Sequence, residues 1–361
     1  MKKLLLVLSV ASMVSCQQSM TVDGNSNLIT TVGRYQQDSL GKKMWAAGGY
    51  FTFAFTGKSC QMQILSEGDY EYSFVDIVVD NLPPSRVKLP KGGTTIVIGE
   101  KNEPILGNVI YFSEPLDEEI EMHDVSVYRD SETMMGFTQL KSVTAQQILG
   151  RVLKPEHRIE FVGNSITSGT DIDTNLISFK DYKWGDWHRA YYAYGPVTAR
   201  NLNAEYSLAS VSGIGLTHSC CDIPYTIADV YDNLIMRYDS LDYDFSFNPD
   251  IICCCLGQND GIQNNDTFVE AYIKFIKLLK EKNANVKHIV LLSSPMADDK
   301  LFDWMKEVLT QTVEKAKTEG IDGVTCFLPG HNRNSGGASH PDVFQHKETA
   351  DELTAFLKTL L

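Results

Sequence analysis

The rhythm of the chain changes once, and the change divides it into two kinds of fold. Between about residues 28 and 143, short runs rich in β-branched and aromatic residues are broken by Gly, Pro, Asn and Asp. Residues 50–55 and 70–75 alternate apolar and polar, and 86–89, 94–98 and 121–128 continue the pattern. A period of two places successive side chains on opposite faces of a strand, and many such strands with regular turn signals and no helical period imply an all-β sandwich. After Arg158 strands alternate with helices. Strands are expected at 159–162, 204–208, 250–256, 288–293 and 324–327. Helices are expected at 267–282, opened by a capping box at Thr267 and Glu270, at 302–319, stopped by Gly320, and at 348–360. Such alternation implies a parallel sheet covered by helices on both faces, an α/β three-layer domain. Residues 144–158, punctuated by Pro155, read as the linker between the two.

In an open parallel sheet, reactive groups gather at the carboxyl ends of the strands. Four short segments fall there: Gly163-Asn164-Ser165, Ser212-Gly213-Ile214-Gly215, Gly257-Gln258-Asn259-Asp260 and His340-Pro341. Each supplies part of an acyl-transfer site. Ser165, at the turn after an apolar strand, has the access that a nucleophile needs. His340 is the general base, because imidazole titrates near working pH. The backbone of Gly213 can approach a bound carbonyl closely. The Asn259 amide is a neutral donor for a forming oxyanion, which makes three donors with the N–H groups of Ser165 and Gly213.

That set of segments resembles the SGNH hydrolase superfamily, with Ser165, Gly213, Asn259 and His340 in the four named positions. A β-sandwich ahead of the hydrolase domain, with Gly-Asn-Ser-Ile-Thr, Ser-Gly-Ile-Gly-Leu and Gly-Gln-Asn-Asp, is similar to carbohydrate esterase family 2. Residues 194–200 and 229–232 also look like that family. The resemblance covers about residues 28–361. It implies a flavodoxin-like α/β/α hydrolase domain at 159–361, preceded by a jelly-roll-like sandwich. It also implies removal of acetyl groups from plant polysaccharides such as xylan by a Ser–His acyl-enzyme mechanism.

One position departs from the superfamily pattern. Most members carry an aspartate three residues before the histidine, where this chain has Gly337. The family resemblance implies a Ser–His dyad in which a backbone carbonyl near Gly337 or Ala338 accepts from the ring. Asp342 is the second candidate for that task. For the substrate, Trp184, Tyr182 and Gln258 are candidate contacts, because indole faces stack on sugar rings. Trp187 serves equally well as a core anchor.

Lys and Arg number 32 against 46 Asp and Glu, a net charge of −14 with no basic cluster, which argues against a nucleic-acid partner. Lys2-Lys3, an apolar run at 4–10 and Met13-Val14-Ser15-Cys16 resemble a bacterial lipoprotein signal, with Cys16 as the lipidated residue; a plain secretory signal is the alternative. Residues 17–27 then read as a tether, and the protein as an exported lipoprotein, periplasmic or on the cell surface. The partners expected are an acetylated glycan and, through the lipid alone, a membrane. Of the other seven cysteines, Cys253, Cys254 and Cys255 lie in an apolar run and read as small buried hydrophobes, not metal ligands. The partner of Cys220 or Cys221 is left open. No metal or cofactor is implied, since Ser–His acyl transfer requires none. A non-catalytic glycan-binding lipoprotein, or an esterase for another acyl class, would use the same fold.

Overall fold

The computed structural model describes residues 19–80, 82–100, 106–112, 116–117, 119–151, 154–175, 178–237 and 241–361. The signal segment with Cys16 lies outside the described residues. The N-terminal domain contains β1 (Met20–Asp23), β2 (Thr30–Val32), β3 (Tyr35–Asp38), β4 (Gly41–Met44), β5 (Tyr50–Glu67), β6 (Tyr72–Val79), β7 (Ser85–Pro90), β8 (Gly92–Gly99), β9 (Asn108–Tyr111), β10 (Met122–Arg129) and β11 (Phe137–Leu149). These strands form one hydrogen-bonded network in which the 18-residue β5 is the hub. The first half of β5 pairs with β10 and β2, and the second half with β8 and most of β11. The alternating residues of 50–55 and 121–128 put Phe51, Phe53, Phe55, Val125 and Val127 into its core.

Two expected boundaries move. Residues 20–23 of the expected tether are a strand, because Met20–Asp23 pairs in register with Ala145–Ser142 of β11. Residues 144–149 of the expected linker are likewise strand, since Gln147, Ile148 and Leu149 pair with Thr56, Phe55 and Ala54. The connection between the domains is therefore confined to about residues 150–156.

The C-terminal domain is a five-stranded parallel sheet of β12 (His157–Gly163), β13 (Ala204–Ser210), β14 (Ile251–Cys255), β15 (His288–Leu292) and β16 (Val324–Phe327), in the order β13-β12-β14-β15-β16. One core fills each face of the sheet. Ile252, Cys254, Ile289 and Leu291 point to one side and Phe161, Cys253, Cys255, Val290 and Leu292 to the other. The three consecutive cysteines are thus core residues on opposite faces, and burial raises all three thiols well above the ordinary thiol range. The helices are α1 (Ser165–Ser168), α2 (Tyr194–Asn201), α3 (Ile227–Val230), α4 (Asn265–Lys282), α5 (Asp299–Thr318) and α6 (Val343–Leu357).

The long helices start earlier than expected because a different residue caps each. Asn264 Oδ1 accepts from the Thr267 N–H, so Thr267 lies inside α4. Asp298 caps α5 through the Leu301 N–H, and Asp342 caps α6 through the Gln345 N–H.

Buried ion pairs join the domains. Arg34 of the sandwich is fully buried and donates to Glu160 Oε1 on β12 (3.3 Å) and to the carbonyls of Tyr231 (2.8 Å) and Asn233 (3.0 Å). Tyr231 donates its hydroxyl to the other Glu160 oxygen, so the carboxylate is matched on both sides. Arg189 reaches back to both oxygens of Asp76 at 2.9 and 3.0 Å. Arg86 lies over the Phe74 ring and donates to the carbonyls of Asp186 (2.7 Å) and His188 (2.6 Å). Truncating one partner of a buried pair leaves the other charge uncompensated, at a cost of about 3–5 kcal/mol. Arg34→Ala should destabilise the protein by about that amount, read as a lowered urea midpoint. An unchanged midpoint would contradict the pairing.

Candidate active site

β12 ends in Gly163 because the turn leaves no room for a side chain: a Cβ there would lie 2.2 Å from Thr167 Oγ1. Asn164 then opens α1, its Oδ1 accepting from the Ile166 N–H at 3.1 Å. Ser165 is the first residue of that short helix and is 9% exposed. The turn therefore sinks the hydroxyl into the surface and does not push it into solvent.

Across from it, His340 Nε2 lies 2.8 Å from Ser165 Oγ. His340 Nδ1 lies 3.1 Å from the Gly337 carbonyl oxygen. A carbonyl can only accept, so Nδ1 carries the proton and Nε2 is left to accept from the serine hydroxyl. Asp342, the other candidate for orienting the ring, is occupied at the N-terminus of α6, where it and Gln345 form a reciprocal cap. Burial lowers the His340 pKa; the Gly337 carbonyl and the Asp171 carboxylate work against that and offset part of it.

The turn that presents the carbonyl is closed on itself. Gly336 N–H donates to the His340 carbonyl (2.7 Å), His340 N–H to the Gly337 carbonyl (2.9 Å) and Gly337 N–H to the Asp171 carbonyl (2.8 Å). A Cβ on Gly337 would sit 2.6 Å from Trp187 Cε3 and 3.0 Å from Asp171 Cβ, so any side chain at this position would break the turn. The usual aspartate has no room here.

Two loops carry the expected oxyanion donors, Gly213 and Asn259. Gly213 has φ +84°, and a Cβ there would meet Ile223 Cδ1 and Cys220 Sγ at 3.0 and 3.1 Å. Gly213 is buried, and its N–H meets no acceptor among the described residues. Buried N–H groups are nearly always paired, so this one marks a place where an acceptor belongs. Cys220 is disulfide-bonded to Cys221, and its N–H holds the Gly213 carbonyl at 2.8 Å. Asn259 spends one amide hydrogen on the Ile214 carbonyl (2.8 Å), which fixes the amide beside Gly213 and leaves the second hydrogen. Asp260 locks the same loop by accepting from the N–H groups of Leu216, Thr217 and His218.

The expected substrate contacts divide. Trp187 is 5% exposed, stacks on Tyr182 at 4.1 Å between ring centroids and supports Gly337, so it is an anchor of the histidine turn. Tyr182 donates its hydroxyl to Asp171 Oδ1 at 2.8 Å. Trp184 is half-buried between Tyr70 of the sandwich and His188. Gln258 Oε1 is buried without a partner among the described residues. An open cavity of about 610 Å³ borders the histidine turn, lined by Thr174, Asn175, Ser178, Trp187, Ser335 and Gly337 among others. Trp184, Tyr182 and Gln258 are not in its lining. Among the described residues no cluster of His, Cys, Asp or Glu is placed to hold a metal.

Sequence reasoning missed Asp171 and Glu132. Burial works to raise the Asp171 carboxyl, but His188, the Tyr182 hydroxyl and His340 outweigh it and hold the group below the usual carboxylate range.

Fold and site together define an SGNH-type hydrolase, with Ser165, Gly213 and Asn259 after β12, β13 and β14 and His340 after β16. Residues 31–110 match the family described as "Carbohydrate esterase 2 N-terminal". The chain is 25% identical over 305 residues to an acetylxylan esterase / glucomannan deacetylase of Cellvibrio japonicus, covering 80% of this chain and 77% of that protein. Among solved structures, it is similar to a family two carbohydrate esterase from Cellvibrio japonicus, with TM-score 0.79 and 23% identity over 95% of this chain and 98% of that one. It is also similar to a family two carbohydrate esterase from Clostridium thermocellum in complex with cellohexaose, with TM-score 0.76 and 26% identity over 92% and 98% of the two chains. In particular, then, this hydrolase resembles carbohydrate esterase family 2 across both of its domains.

The direction of the His340 shift fixes one pH effect. As the expected general base, His340 would act in its unprotonated form, which burial favours by lowering the pKa. The acidic limb of kcat/KM should therefore have its midpoint below the ordinary imidazole value of about 6.5. A midpoint above that value would contradict a desolvated base.

Proposed function

We propose that this protein is a carbohydrate O-acetyl esterase acting on acetylated plant polysaccharides or their oligosaccharides. The observation that carries the reading is the 2.8 Å contact between Ser165 Oγ and His340 Nε2, on a ring whose tautomer the Gly337 carbonyl sets. The relatives named as acetylxylan esterase / glucomannan deacetylase, and the related esterase in complex with cellohexaose, support a glycan as the substrate class. The hydroxyl and amide groups lining the cavity beside the histidine turn suit the same ligand.

The proposed steps use that contact. His340 Nε2 takes the Ser165 proton as Oγ attacks the acetyl carbonyl. The negative charge that develops on the carbonyl oxygen is met by the Gly213 N–H, the Asn259 amide and the Ser165 N–H. Collapse breaks the bond to the sugar oxygen, which leaves with the proton from His340. Water, deprotonated by His340, then attacks the acetyl-serine; acetate departs and Oγ recovers its proton. Removing one oxyanion donor costs about 10²–10³ in kcat.

Asn259→Ala should therefore lower kcat for an aryl acetate by about 10²–10³-fold, and Ser165→Ala should abolish turnover. Acetate release from acetylated xylan and glucomannan, measured beside an octanoyl ester, tests the acyl class. Faster octanoyl turnover would point to a different esterase. Binding of glycan without acetate release would support the non-catalytic alternative.

We further propose export as a lipoprotein anchored at Cys16, supported by the charged start, apolar run and Met13-Val14-Ser15-Cys16 sequence. Cys16→Ala should move the mature protein from the membrane to the soluble fraction. Unchanged membrane partition would contradict the anchor.

A further inference from the structure

Glu132 belongs to the sandwich domain, in the turn between β10 and β11, and is fully buried. Its side chain nevertheless ends inside the hydrolase domain. Oε1 accepts from the hydroxyls of both Thr170 and Ser212, and Oε2 accepts from the Ser212 N–H at 3.2 Å. The two hydroxyls are themselves 2.9 Å apart. His188 Nε2, buried and without a hydrogen-bond partner among the described residues, lies 3.7 Å from Oε1.

The two residues held by this carboxylate are not arbitrary. Thr170 closes the nucleophile loop: its N–H donates to the Ser165 carbonyl at 3.0 Å. Ser212 is the residue immediately before Gly213. One carboxylate thus ties the loop carrying the nucleophile to the loop carrying the oxyanion donor. The main chain of Glu132 is equally fixed, because the buried Arg129 donates to its carbonyl (3.0 Å) and to that of Gly136 (2.8 Å).

A buried carboxylate that accepts three hydrogen bonds is costly to displace, since moving either loop would strand the charge. Oxyanion stabilisation, in turn, depends on donors held within a few tenths of an ångström, and a misplacement of about 1 Å can cost about 10²-fold. We propose that Glu132 is a positioning residue which the sandwich domain contributes to the active site, setting the distance between Ser165 and the Gly213 N–H. The inference rests on the esterase reading above for its kinetic consequence, but not for its structural one. The sandwich is then part of the catalytic apparatus, and the hydrolase domain is incomplete without it.

The test compares the full-length protein with Glu132→Gln, Thr170→Val and Ser212→Ala. In Glu132→Gln, the amide can replace the carboxylate only by turning its NH2 toward the two hydroxyls, which must then accept where they now donate, and the charge that holds both loops is lost. With 4-nitrophenyl acetate, kcat should fall by about 10–100-fold while KM stays within about threefold, since a positioning defect acts on the transition state. Thr170→Val and Ser212→Ala should move kcat in the same direction by less, and they carry the test if Glu132→Gln does not fold. Amide hydrogen exchange across residues 211–216 should quicken in each variant. Wild-type kcat in all three, or a loss confined to KM, would overturn the proposal. So would unchanged exchange at 211–216. If the wild-type protein released no acetate from any ester, the esterase reading would fall, and the exchange measurement would still decide whether Glu132 holds the loop.

Discussion

A peptide carbonyl holds the imidazole at the centre of this site, and the rest of the architecture serves that contact. A carboxylate in the same place would stabilise the imidazolium with a full charge; a carbonyl offers a dipole. The structure compensates in two ways. The carbonyl is fixed by a turn in which Gly336, Gly337 and His340 bond to one another and to the Asp171 main chain. A full negative charge, Asp171, stands close enough to act on His340 without touching it. The side chain of Asp171 is in turn held by Tyr182, and the turn is backed by Trp187. The aromatic segment at 182–188 therefore supports the turn that holds His340.

The same economy explains why two domains of different fold are inseparable. Arg34, Arg86 and Arg189 cross the boundary with buried partners on the far side. Asp130 sits beside Arg86 and Arg189, and burial together with Asp76 raises its pKa well above the usual carboxylate range. Such groups contribute little net stability over a well-packed apolar contact, but each is expensive to separate. What they give is a fixed orientation. Because the sandwich cannot rotate against the sheet without stranding a charge, Glu132 can be placed reliably between the loop of Ser165 and the loop of Gly213.

Much of this was legible in the sequence, for reasons that lie in local periodicity. Alternation at 50–55 and 121–128 reflects strands that send their larger apolar side chains to the sandwich core, although at 50–55 the other face is covered as well, and the apolar runs at 159–162 and 250–256 reflect strands buried on both faces. Ser165, Gly213, Asn259 and His340 stood out because each follows a strand end. What was illegible depends on contacts far apart along the chain. Asp298 and Asn264 outcompete the expected helix starts through side-chain bonds three residues on, which shift the helix ends by a few residues. The polar run from Arg129 to Thr133 carries no periodic signal, yet all five residues are buried, because their partners include residues of the other domain and the neighbouring turn. Gly337 reads as the loss of an aspartate; the Trp187 ring and the Asp171 Cβ that exclude any side chain there cannot be seen from the sequence around it.

In the proposed mechanism the Ser165 oxygen becomes acylated, and His340, steadied by a carbonyl, drives the exchange. Rapid acid quench during turnover of an aryl acetate, followed by peptide mass analysis, reads this directly. One acetyl group is expected on the peptide containing Ser165, accumulating within the first turnover and absent from His340→Ala. Turnover with no acetyl group on Ser165, or with the acetyl group on another side chain, would contradict it.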